Sequence, residues 1–292
     1  MTSLARRLLF LLPLGLATTV HAQVRASELA SVAQTIDGTT ITMEYYRPRL
    51  RGRTSVYGSG AVPWNTMWTP GANWATTLET TRDVTLDGRV VAKGKYSVWL
   101  IPRDSVAWTV ILDHKSRLFH ERPPDSSATQ VRFTVLAQAG PEIETLTWSF
   151  PDVRSTGATL QFEWSNRRIP FEIRVTPSLV TTVPASDVQA YLGTYDATKQ
   201  SLSPVRGALV VTHEQGTLRA DFVPVHGYFR HFALVRTGPD IFAPGIYDKQ
   251  GEIYEVLRPD LTFTFFHAPG EPVRVEARGV DDEIFWAGTK RR

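Results

Sequence analysis

The 292-residue chain contains no cysteine. Disulfide staples, thiolate nucleophiles and cysteine-ligated zinc are therefore excluded together, and stability must come from packed cores. The signatures that usually announce catalysis are missing as well. There is no Gly-x-Ser-x-Gly elbow, no His-Glu-x-x-His, no phosphate-binding loop and no Gly-x-Gly-x-x-Gly. No serine is followed by lysine three residues on, so Ser-x-x-Lys chemistry is absent. Segments with a 3.6-residue apolar period are also lacking, apart from one candidate helix at residues 26–34, ahead of Asp37-Gly38.

Long hydrophobic runs are short in supply too. The apolar stretch at residues 8–16 is broken by Pro13 and Gly15, and falls below the roughly 18–20 residues that cross a bilayer. Arg6 and Arg7 precede it, and Val20-His21-Ala22 follows it as a small-x-small site. That layout predicts a cleaved secretory signal over residues 1–22, no transmembrane anchor, and a mature chain in the periplasm or outside the cell. Cleavage removes two arginines and no acids, so the formal net charge falls from +3 to +1. The remaining basic residues alternate with acids, as Arg132 does with Glu142 and Glu144. Nucleic acid is not expected as a partner, and no cofactor or metal is implied. Oligomeric state is left open.

What the chain has in abundance is alternation. Ile41, Met43 and Tyr45 alternate with Thr42, Glu44 and Tyr46 up to Pro48. Residues 76–86 lead through Asp87-Gly88, a strong two-residue hairpin signal, into Val90-Val91. Further strand-like runs fall at 95–101, 108–112, 131–136, 144–150, 159–164 and 170–175. The expectation is an all-β protein whose residues 23–176 form an antiparallel sandwich or barrel. A Pro-containing linker follows at 177–188. Residues 189–292 then restart the pattern as about nine short strands, read as a smaller up-and-down barrel.

The stretch from Pro63 to Thr77 is the densest in chemistry. It carries Trp64, Trp68 and Trp74 with Asn65 and Asn73, interrupted by Pro70-Gly71. Aromatic rings beside amides suit sugar or aryl ligands, and they equally suit a plug over an open core. Tyr46, Arg47 and Arg53 surround a proline-terminated strand end, where a guanidinium beside a phenol can clamp an oxyanion; Arg47 equally suits pairing with Glu44 or Glu79, or capping backbone carbonyls. Asp83, Asp113 and His114 are the weaker acid–base candidates. His226 and His231, five apart, would fall on opposite faces of one strand and read as turn or surface residues.

The pieces Tyr45-Tyr46-Arg47-Pro48, Arg51-Gly52-Arg53, Val62-Pro63-Trp64, Trp68-x-x-Gly71-Ala72-Asn73-x-Ala75-Thr76, Gly94-x-Tyr96-Ser97, Ile101-Pro102 and Trp108-Thr109-Val110-Ile111 occur in order over residues 40–175. Together they resemble a bacterial secreted family known as domain of unknown function 2911. The resemblance implies an exported β-rich domain without an established activity. It also implies an arginine after Trp68, where this chain has Thr69; its charge would then be lost or moved to Arg47 or Arg53. Residues 187–292, with Tyr-Leu-Gly-Thr-Tyr at 191–195, are similar to the barrel that follows the catalytic domain in β-lactamase-like serine hydrolases, which implies an accessory role. The leading expectation is a small-ligand or glycan binding or accessory protein. A hydrolase or isomerase with dispersed Tyr46, Arg47, Asp83 and His114, and a structural envelope module, stay open beside it.

Overall fold

The structure is a computed structural model that describes residues 25–200, 207–225 and 229–292. The expected signal segment and His226 lie outside the described residues. The first ten strands are β1 (Glu28–Ile36), β2 (Thr39–Arg47), β3 (Thr77–Thr80), β4 (Val84–Leu86), β5 (Arg89–Val91), β6 (Gly94–Ile101), β7 (Ala107–Asp113), β8 (Val131–Leu136), β9 (Gln138–Arg154) and β10 (Gly157–Val175). They form a six-stranded sheet ordered β1-β2-β3-β6-β7-β8 and a four-stranded sheet ordered β5-β4-β10-β9. One continuous core lies between them, drawing Met43, Leu78, Tyr96, Leu100 and Trp108 from one sheet and Leu86, Trp148, Phe162 and Phe171 from the other. Strand alternation explains it: successive side chains point to opposite faces, so every second residue of β2 and β8 is buried, whereas most of β6 and the end of β7 are buried on both faces.

Residues 28–36 are a strand, not the helix expected at 26–34. Their alanines, glutamate and leucine favour a helix weakly. However, β1 pairs with β2 without interruption from Glu28↔Arg47 to Ile36↔Thr39. The connecting Asp37 and Gly38 have φ of 43° and 73°, the mirror-image turn that suits a tight hairpin. Ladder pairing outweighs local preference here. Asp87-Gly88 makes the same kind of turn between β4 and β5, with φ of 45° and 77°.

The run expected over 76–86 divides at Thr81–Asp83, so that β3 joins one sheet and β4 the other. Conversely, the runs at 159–164 and 170–175 merge into β10. It pairs with β9 through Arg168 and with β4 from Ile173. Pro170 falls in the gap between those ladders, where no donor is required. Pro141 and Pro151 sit in β9, which is an edge strand.

A four-residue helix α1 (Ala185–Val188) precedes β11 (Gly193–Gln200), β12 (Ala208–Glu214), β13 (Thr217–Val223), β14 (Phe232–Gly238), β15 (Ile241–Tyr247), β16 (Ile253–Val256), β17 (Leu261–Phe266), β18 (Arg274–Gly279) and β19 (Ile284–Lys290). Their order is β14-β13-β12-β11-β19-β18-β17-β15-β16, and a further β14–β15 pairing closes eight of them into an antiparallel barrel. β16 is appended to β15 outside the ring. Tyr195, Phe232, Phe242, Phe263, Phe265 and Trp286 fill the interior. Val188 of α1 is fully buried against this core. The segment before α1 is tied at both ends. Ser178 donates to Asp37 through its amide and hydroxyl, each at 2.5 Å, while the Val183 amide donates to the Gly216 carbonyl.

Candidate functional site

Within residues 63–77 the chain runs along β6 where β3 leaves off. Trp68 and Leu100 exchange both backbone hydrogen bonds, at 2.8 and 2.7 Å, and the Asn65 amide donates to the Pro102 carbonyl. Residues 70–75 then leave the ladder as a short loop whose neck is closed by Thr69 and Thr76. The Thr69 hydroxyl donates to the Val98 carbonyl and accepts from the Thr76 amide, both at 2.9 Å. The Thr76 hydroxyl donates to the Pro70 carbonyl. Both threonines are completely buried.

The neck divides the three tryptophans. Trp64 and Trp68 precede it and turn inward onto the core around Tyr57. Trp68 stacks on Trp164 with ring centres 6.0 Å apart and planes 17° from parallel, and Trp64 stacks on Tyr57 at 6.2 Å. Trp108 meets Tyr57 edge-on at 5.1 Å. The Tyr57 hydroxyl donates to the Trp164 carbonyl, and burial pushes its phenol far above the usual tyrosine range, with Arg167 opposing the shift. These two indoles are a lid. Trp74 follows the neck and is 37% exposed. It meets Phe119 edge-on at 5.7 Å, and the Arg117 guanidinium sits over its ring at 4.9 Å.

A second loop holds Trp74 in place. The Ala75 amide donates to the Leu118 carbonyl and the His120 amide to the Asn73 carbonyl, each at 2.8 Å. Trp99, Ile111 and Ala75 pack beneath with Met67 and Leu118, a small apolar layer on the outer face of the six-stranded sheet. Beside it opens a groove of about 350 Å³. Its floor is the outward face of β2, β3 and β6, contributing Glu44, Tyr46, Thr77 and Lys95; Trp74 and Arg117 stand at its side. Lys95 lies 4.0 Å from Glu44 and 3.8 Å from Glu79.

Of the residues singled out from sequence, Tyr46 and Trp74 therefore meet in one groove. The others serve elsewhere. Arg47 donates to the Leu146 carbonyl and the Thr147 hydroxyl, fastening β2 to β9. Arg53 donates to the Leu50 and Arg49 carbonyls. Neither has taken up a charge moved from position 69, where Thr69 is committed to the loop neck. Asn65 and Asn73 occupy left-handed turns with φ of 59° and 57°. Asn65 accepts from Arg103, and Asn73 donates to the Ser27 carbonyl.

The acid–base candidates are likewise separately engaged. Asp83 accepts from the Lys93 amide. Asp113 is buried, with one oxygen on the Lys115 amide and the other on Gln130. His114 packs on the Tyr96 ring at 4.7 Å. Burial, with the Asp83 charge adding to it, raises the Tyr96 phenol. Among the described residues no group of three or more His, Asp and Glu side chains is placed to hold a metal ion.

Sequence reasoning missed Arg117, Lys95 and Ser116 of the groove. Only the pairing of Trp74 with Phe119 brings that second loop alongside. It also missed a cleft of about 700 Å³ between the sandwich and the barrel, lined by Asp37, Arg154, Ser178, Arg219, Tyr247 and Glu252 among others. Its cations are already matched. Arg154 pairs with Glu172 at 2.7 Å, while Arg219 lies 3.4 Å from Glu214 and 2.7 Å from His231, which also faces Asp221. The alternation that turns Leu218 and Ala220 inward places Arg219 and Asp221 on the barrel's outer face.

Comparison with protein families gives a match over residues 27–173 to the family described as "Protein of unknown function (DUF2911)". The chain belongs to that family. No curated protein and no solved structure matches the chain. The DUF2911 match ends within β10, so it spans both sheets of the sandwich, the Trp74 loop and the groove, and stops short of the barrel.

Proposed function

We propose that this DUF2911 protein is an exported binding protein that holds a small organic ligand or glycan in the groove beside Trp74. One observation carries the reading: a half-open indole stands at the edge of a polar groove with Tyr46, Thr77 and Ser116 around it. The part of the indole left open to solvent can take the apolar face of a sugar or aryl ring, and the hydroxyls and the Glu44 carboxylate around it match such a ligand's polar rim. The volume is at the small end of the range for ligand pockets, about 300–1,000 Å³, which suits one or two rings. A buried tryptophan would need no such surroundings. In this reading the C-terminal barrel serves as a docking or positioning module.

The test is a binding panel of neutral and acidic oligosaccharides against the full chain and its Trp74→Ala variant. Trp74 is the most exposed tryptophan among the described residues, so its quenching by ligand is the direct signal. Binding by the parent with at least about tenfold loss in Trp74→Ala supports the reading, since a stacked ring contributes roughly 1–3 kcal/mol. Equal binding by both, or no ligand at all, refutes it. Export is checked separately, by N-terminal sequencing of the secreted protein, with Gln23 expected as the first residue.

A further inference from the structure

The groove is not neutral along its length. At one end Lys95 is flanked by Glu44 and Glu79, so its charge is matched. At the other end Arg117 has no carboxylate within ion-pair distance among the described residues; its contact is the Trp74 ring. The frame under it is rigid. The 118–120 backbone is hydrogen-bonded to residues 73 and 75, and the 73–76 backbone is tied to β6 through Thr69. The Arg117 guanidinium carbon stands 4.9 Å from the Trp74 ring centre, and an exposed guanidinium offers a planar N–H fork shaped for two oxygens of one carboxylate. Lysine offers no such fork.

We propose that the ligand of this groove is an acidic sugar, of the uronic acid class, and that Arg117 is the residue that reads its carboxylate. The proposal rests on the groove being the binding site. In this arrangement the sugar ring lies beside the guanidinium, against the part of Trp74 that Arg117 and Phe119 do not cover. Its carboxylate meets Arg117, and its hydroxyls face Thr77, Ser116 and Glu44, with Glu44 an acceptor for hydroxyl donors. Glu44 also sets the direction, since it repels a carboxylate placed at the Lys95 end.

The experiment titrates the full chain with oligomers of galacturonate, glucuronate and mannuronate, each beside its fully methyl-esterified form. Esterification keeps the ring and removes the charge. The parent protein is expected to bind at least one acid oligomer about tenfold more tightly than its ester, as one charge-assisted hydrogen-bond pair provides. Raised salt should weaken that preference. Arg117→Gln should bind acid and ester alike, Arg117→Lys should keep part of the preference, and Trp74→Ala should weaken both forms together. Arg117 is exposed and carries no ion pair among the described residues, so its variants are expected to keep the fold, which circular dichroism checks. If the ester binds as tightly as the acid in a Trp74-dependent manner, the acidic-sugar assignment is wrong while the groove stands; if Arg117→Gln keeps the preference, Arg117 is not the residue that reads the carboxylate, and the proposal fails on that count. If no acid or ester form binds, the assignment is wrong; binding of other oligosaccharides that depends on Trp74 then decides whether the groove survives.

Discussion

Thr69→Val is the sharpest probe of how the loop is built. The replacement keeps β-branching and volume and removes one hydroxyl. That hydroxyl donates to the Val98 carbonyl and accepts from the Thr76 amide, at positions that are 0–2% exposed. Water does not reach either group, so each stays unpaired in the variant. An unsatisfied buried polar group costs about 1–3 kcal/mol, which gives about 2–4 kcal/mol for the pair after local relaxation. Thr69→Ser keeps the hydroxyl and loses a methyl, which costs about 1 kcal/mol. Seven of the eight tryptophans precede residue 176, so tryptophan fluorescence in urea follows the sandwich and not the barrel. With a slope of about 2–3 kcal/mol per molar, the valine midpoint should fall by about 1 M and the serine midpoint by less than half that. The Thr76 amide should also exchange with solvent faster in the valine variant. A valine variant within about 0.5 kcal/mol of the parent, a normal-to-neutral range for surface substitutions, would refute the neck. So would a serine variant less stable than valine.

Two other predictions follow from buried polar groups. Burial raises the Asp87 carboxyl above the usual range, with Glu172 adding to the rise and the bond from the Glu172 amide opposing it; its second oxygen is buried without a partner. A carboxyl whose folded pKa is raised binds protons more readily in the native state, so its penalty is absent below about pH 3.9 and grows as pH rises through the folded value. Asp87→Asn keeps the acceptor and the left-handed turn, and should raise the urea midpoint at pH 7 with a gain that vanishes near pH 3; a gain independent of pH would contradict this. Arg47→Met removes the links from β2 to Leu146 and Thr147 and should lower stability by about 1–2 kcal/mol. Its affinity for the groove ligand should stay within about twofold of the parent, and a selective loss of binding would return Arg47 to the site.

What could be read from the sequence was local. Asp87-Gly88 announces a tight turn because only a few residues accept positive φ, and that turn forms; Asp37-Gly38, expected only to follow a helix, makes the same kind of turn. Alternation in 41–45 marks the core face, since a strand's side-chain period is fixed, while 95–101 is read from its apolar richness and is buried on both faces. The segment at 26–34 misleads because its residues carry a helix preference smaller than the pairing energy supplied by β2, a partner that sequence inspection does not weigh. Within 63–77 there is no period to read, so the direction of each indole depends on distant residues: Trp164 for Trp68, Phe119 and Arg117 for Trp74. The arginines at 47 and 53 looked available because carbonyl acceptors on β9 and in their own turn leave no trace in composition.

The loop is built differently on the two sides of its neck. Before the neck, Trp64 and Trp68 close the core, and their removal is a packing loss. After it, Trp74 is held out from the core by the 118–120 backbone, so its exposure is built in and not left over. The turn between the two regimes is Pro70-Gly71. A Cβ at Gly71 would come within 2.6 Å of the Thr76 hydroxyl and 3.3 Å of the Tyr46 carbonyl, so the neck can close only around a residue without one. Closing it brings the Tyr46 strand and the Trp74 loop side by side, which is what forms the groove. The same contact thus seals the interior and shapes the surface. For that reason the proposed ligand site would require no machinery of its own beyond one outward indole and one guanidinium that no carboxylate matches among the described residues.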